Sequence, residues 1–144
     1  LIWAPGKTNA CQCDFSTMIS PKLFEKFIVF ELEQIKEYLD YIVWHLDGPD
    51  EIKHLDTLIS LPYIKVIQIT PGAGRPGCAS SLWLPQIKKI IEKKKQVILY
   101  CGNKEEFDIL IKNFPSGRAL VCCGTVDFEN KSDREFFKYV ENFL

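Results

Sequence analysis

The chain has 144 residues, of which 47% are hydrophobic and 26% charged, with a formal net charge of −1 at pH 7. That is the composition of a globular domain rather than a disordered segment, and a charge so near zero gives no case for binding nucleic acid or an anionic membrane surface. No run reaches the roughly 18 apolar residues of a membrane span.

The opening "LIWAPGKTNA" lacks the basic start and apolar centre of a secretory signal, so a cytoplasmic setting is expected. The six cysteines read as thiols, because a chain of this size can build its core without disulfide staples.

Five β-type runs alternate with helical patterns. The first is "CQCDFS" (11–16), in which Gln12, Asp14 and Ser16 share one side of an extended strand. A helix follows at "SPKLFEKF", with Ser20 as cap, Pro21 in the first turn, and Phe24, Phe27, Ile28, Ile35 and Leu39 at helical spacing. The second run, "YIVWHLD" (41–47), puts Tyr41, Val43, His45 and Asp47 on one face and Ile42, Trp44 and Leu46 on the other.

Asp50 and Glu51 then open a helix at its positive end, with His54 expected on its surface. The third run, "KVIQIT" (65–70), sets Gln68 and Thr70 against Ile67 and Ile69. "PGAGRPG" matches neither phosphate-loop spacing and reads as a loop over the site, with Arg75 placed to meet an anionic substrate. A helix through Trp83, Ile87, Ile90 and Ile91 ends in three lysines, suited to its negative end. "QVILYC" (96–101), a helix with Phe107, Leu110, Ile111 and Phe114, "RALVCC" (118–123), and a last helix with Ser132 and Glu135 at capping-box spacing complete the chain.

Alternation of this kind predicts one α/β domain over residues 1–144, a parallel sheet with outer helices. Function in such folds gathers at the C-terminal ends of the strands. Those ends supply Asp14 and Ser16, His45 and Asp47, Gln68 and Thr70, Tyr100 and Cys101, then Cys122 and Cys123. The paired His45 and Asp47 read either as a hydrogen-bonded structural pair or as a metal or catalytic site, and Asp14 as a base or a solvated carboxylate.

"CDFSTMISPKLFEKF", "HLDGPDEIKHLD", "VIQITPGAG" and "LVCCG" together resemble the C-terminal portion of the uroporphyrinogen decarboxylase superfamily, which includes zinc-dependent methyltransferases that work with corrinoid proteins. The resemblance implies a (β/α)8 TIM barrel of which this chain supplies the last five βα units, as a fragment of a longer protein. The remaining strands would come from a missing N-terminal part or from self-association, and the chain alone would be inactive.

For the methyltransferase branch, the resemblance implies a zinc ion held by His45, by Asp47 where that branch has a cysteine, and by Cys123, with a corrinoid (cobalamin) supplied by a partner. Independently of the resemblance, strand-end and loop placement make Asp14 the candidate catalytic group and Gln68 and Arg75 the candidate substrate ligands. The decarboxylase branch, acting on a tetrapyrrole, has a serine where this chain has Asp14 and a histidine where it has Cys123. A catalytically silent fragment or binding module is the reading outside enzymes.

Overall fold

The computed structural model describes residues 4–115, 117–123 and 129–142, and the side chains of Leu120, Cys122 and Cys123 fall outside that description. Five parallel strands form one sheet in the order in which they occur: β1 (Thr8–Cys11), β2 (Tyr41–Asp47), β3 (Ile64–Thr70), β4 (Gln96–Cys101) and β5 (Ala119–Cys123). Parallel neighbours need crossover connections, and these run through α1 (Pro21–Phe24) and α2 (Phe30–Ile35), α3 (Leu55–Ser60), α4 (Leu84–Glu92) and α5 (Lys104–Asn113), with α6 (Lys131–Glu141) after β5. A π-helical turn, Glu25–Val29, joins α1 to α2, and 3-10 turns at Asp14–Met18 and Pro49–His54 follow the first two strands.

Side-chain alternation divides the sheet into two unlike faces. Ile42, Trp44 and Leu46, then Ile67 and Ile69, then Val97, Leu99 and Cys101 join Phe24, Leu32, Leu55, Leu58, Trp83, Ile87, Phe107 and Leu110 in one buried cluster. Since the helices on either side of every strand feed that cluster, they lie on one side of the sheet, as sequential strand order with crossovers of one hand requires. The other face carries Tyr41, Val43, His45 and Asp47, Val66, Gln68 and Thr70, and Gln96, Ile98 and Tyr100. No described helix covers it.

Several local expectations stand. Ser20 caps α1, accepting from the Leu23 N–H at 3.3 Å, with Pro21 in the first turn. The second strand spans the predicted residues.

The first strand differs. It ends at Cys11, and "DFSTM" turns into a 3-10 helix, with the Ser16 N–H on the Cys13 carbonyl and the Thr17 hydroxyl on the Asp14 carbonyl. Asp14 and Ser16 are therefore not strand neighbours on one face: Asp14 is exposed and Ser16 buried. The last helix is capped by Asn130, which accepts from the Ser132 N–H, so Ser132 lies inside the helix rather than capping it. His54, expected on the surface, is fully buried. The terminal lysines also include a buried one: Lys95 Nζ donates to the Leu61 and Ile64 carbonyls, 2.6 Å each.

β3 carries one extra residue. Ile42 pairs with Ile64 but Val43 with Val66, so Lys65 bulges and both Ile64 and Ile67 reach the core.

Candidate functional site

The uncovered face is polar toward the C-terminal ends of its strands. Register sets His45 of β2 directly beside Gln68 of β3 and Asp47 beside Thr70. The amide oxygen Oε1 of Gln68 lies 3.2 Å from His45 Nδ1, and the amide Nε2 donates to the Tyr100 hydroxyl at 2.5 Å. Three adjacent strands thus contribute one side chain each to a continuous hydrogen-bonded row. His45 and Gln68 are half-buried, and Tyr100 is 38% exposed. Asp47, also half-buried, follows His45 by two residues on the same face.

The chain turns sharply just beyond. Gly48 has φ 78°, in the region that side-chain-bearing residues avoid, and its N–H donates to the Thr70 carbonyl at 2.8 Å. Gly72 turns the next loop with φ 85°, again a conformation that favours glycine, and lies at ordinary contact distance from Gly48 and the Arg75 side chain. Arg75 is exposed on this loop. The loop is pinned further along, where the Trp83 indole N–H donates to the Pro76 carbonyl at 3.1 Å.

Behind the rim, on the helix side, sits a second polar group. Glu51 is 1% exposed; its carboxylate accepts from the Ser16 hydroxyl and, at 2.9 Å, from the Asp47 backbone N–H. Burial raises its carboxyl above the ordinary range, and those two donors oppose the rise. His54 Nε2 lies 2.9 Å from the Ser16 carbonyl, and its ring stacks on Phe24 at 4.2 Å. Burial lowers its pKa, which favours the neutral ring. Together these bonds tie the turn after β1 to the turn after β2.

The sequence-chosen residues therefore fall into two sets. His45, Asp47 and Gln68 share the uncovered face, while Asp14 sits on the exposed turn after β1, its carboxylate 3.4 Å from the Gln12 amide. Cys123 pairs in register with Cys101, whereas Cys122 pairs with Tyr100. From β2 to β5 is three strand spacings, about 14 Å. The side chain of Cys123 lies outside the described residues. Among the described residues no three His, Cys, Asp or Glu side chains gather closely enough to hold a metal ion.

His45 and Asp47 alone suit a metal, since an imidazole ligand ordinarily gives its other N–H to an oxygen such as that of Gln68. The register of Cys123 does not complete a three-residue set with them. Tyr100 appeared in sequence as a strand-end residue, and its parity with Gln68 is the signal that joins it to the row. Glu51 and His54 looked like ordinary residues of a helical turn, and only the tertiary fold buries them.

A cleft of about 620 Å³ opens at the N-terminal ends of the strands, bordered by Tyr41, Val43, Val66, Ile98, Lys65 and Lys94. It lies on the same face as the polar row and borders it, since Ile98 pairs in register with Gln68 and Val43 and Val66 precede His45 and Gln68 by two residues. Set against protein-family models, curated proteins and solved structures, the chain matches none.

Proposed function

We propose that the chain contributes five βα units to an α/β barrel of the uroporphyrinogen decarboxylase superfamily, and that the C-terminal rim of its uncovered sheet face holds a small polar substrate. The observation that carries this reading is the row His45–Gln68–Tyr100, a chemically equipped surface on a face that no described helix covers. Support comes from five sequential parallel strands with the described helices on one side, an order consistent with a barrel segment. Completion of the barrel falls to strands from elsewhere, either an N-terminal part or another copy.

The reaction proposed is methyl transfer of the corrinoid-dependent kind, with the corrinoid carried by a partner protein. The chain's part is to orient a thiol or similar nucleophile against His45 and take its proton, with Asp47 and Arg75 at the margin of the site. Zinc, where bound, would occupy the His45 lone pair and, in place of proton transfer to the imidazole, would supply a Lewis acid that acidifies the nucleophile. His45 and Asp47 are the described residues suited to it, and no step is assigned to the metal.

The test is binding. Titrating the chain with 2-mercaptoethanol is expected to shift the NMR signals of His45, Gln68 and Tyr100, with the shifts lost in His45→Ala; shifts confined to other residues would remove the rim as the site. Zinc chloride is the second probe. A one-to-one complex requiring both His45 and Cys123 would establish the three-residue set, and one surviving Cys123→Ser would leave His45 and Asp47.

A further inference from the structure

We infer that Gln68 fixes the direction of hydrogen bonding along the row, so that the rim offers a ligand two things: the lone pair of His45 Nε2 and the proton of the Tyr100 hydroxyl. This rests on the rim being the functional site, and it deepens that reading by naming Gln68 as a positioning residue and Tyr100 as a ligand-binding one.

The argument follows from what each atom can do. The Gln68 amide oxygen faces His45 Nδ1, and an amide oxygen only accepts. A neutral imidazole has one N–H, so that proton sits on Nδ1 and Nε2 is left with a lone pair. At the other end the Gln68 amide nitrogen faces the Tyr100 oxygen, and an NH2 group only donates. The phenol therefore spends a lone pair on Gln68 and keeps its own proton. Among the described residues neither His45 Nε2 nor the Tyr100 proton has a hydrogen-bond partner, and Tyr100 is open to solvent.

An acceptor on β2 and a donor on β4, with Gln68 of β3 between them, select a complementary group: an X–H that gives its hydrogen to Nε2 and, a short chain away, an oxygen that accepts from the phenol. Thiols, alcohols and protonated carboxyls with a neighbouring oxygen have that pattern; a simple alkyl thiol lacks the second half. When the ligand is a thiol, its S–H bond breaks and an N–H bond forms at Nε2. The electron pair stays on sulfur as thiolate, and the imidazolium keeps its Nδ1–H on Gln68. The reversed amide would leave an Nε2–H and a phenol without a free proton, and would call for a different ligand.

Long-range proton–nitrogen NMR of the two histidines at about pH 8, above the ordinary imidazole range, distinguishes these arrangements. His54 serves as the internal reference, because the Ser16 carbonyl requires its proton on Nε2. The expected result is opposite tautomers, Nε2–H at His54 and Nδ1–H at His45; Nε2–H at both overturns the proposal. Gln68→Leu is expected to release His45 into a mixture of tautomers and leave His54 unchanged.

For the ligand, Tyr100→Phe is expected to weaken 2-mercaptoethanol binding about fivefold and to leave ethanethiol within about twofold. Equal weakening of both thiols would remove Tyr100 from recognition. If neither thiol binds wild-type protein, the nucleophile reading fails along with the ligand half of this inference, while the tautomer measurement still decides the direction of the row.

Discussion

The chain's two histidines lie on neighbouring segments, nine positions apart, and the fold uses them in opposite ways. His54 is enclosed: Phe24 covers its ring, the Ser16 carbonyl takes its N–H, and Glu51 anchors the same serine from the other side. His45 stands on the uncovered face, half-buried and held at one nitrogen by Gln68, with no hydrogen-bond partner for the other among the described residues. The first is committed to joining two loops. The second is oriented without being used up, which is how a site group differs from a structural one.

Truncation separates them most strongly. His54→Ala removes a fully buried ring together with its hydrogen bond, and a loss of about 3 kcal/mol in urea unfolding is expected. His45→Ala should cost less than about 1 kcal/mol. Similar losses for the two variants would erase the distinction.

Acid sharpens it. Burial depresses the His54 pKa, so its contribution is in place above the ordinary imidazole value of about 6.5 and is lost as pH falls toward the folded value. Burial raises the Glu51 pKa, so its contribution is in place below about 4.3 and is lost as pH climbs through the raised folded value. On acidification from pH 7 to pH 5 the two oppose each other. Glu51→Gln removes the contribution that opposes His54, and its stability should fall more steeply over that interval than that of the wild type. A slope equal to or shallower than the wild type's, in urea unfolding at a series of pH values, would contradict the burial argument. Smallest of all, Asp14→Asn on the exposed turn is expected to change stability by less than about 0.5 kcal/mol and to leave thiol shifts at His45 unaltered. A lost shift would return Asp14 to the site.

Much of the arrangement was legible because strand parity is a local rule. "YIVWHLD" and "KVIQIT" announced which residues share a face, and in both strands the structure follows the alternation. Parity could not say where a strand stops. "CQCDFS" alternates as a strand should, yet the chain leaves the sheet at Cys11, because the carbonyls of Cys13 and Asp14 find partners within a tight turn. Nor could it supply the lateral spacing that separates β2 from β5. The burial of Glu51, His54 and Lys95 was hidden for another reason: each meets its partners from a different stretch of chain, and composition carries no trace of that.

The bulged Lys65 has one more consequence. Deleting a single residue from the middle of a strand ordinarily turns every later side chain over. Here the deletion would leave Ile64 opposite Ile42 and Val66 opposite Val43 in an unbroken ladder, with Gln68 still beside His45. The rim is thereby insulated from a length change at this point, and sequence drift could shorten the strand by one position without disturbing its chemistry.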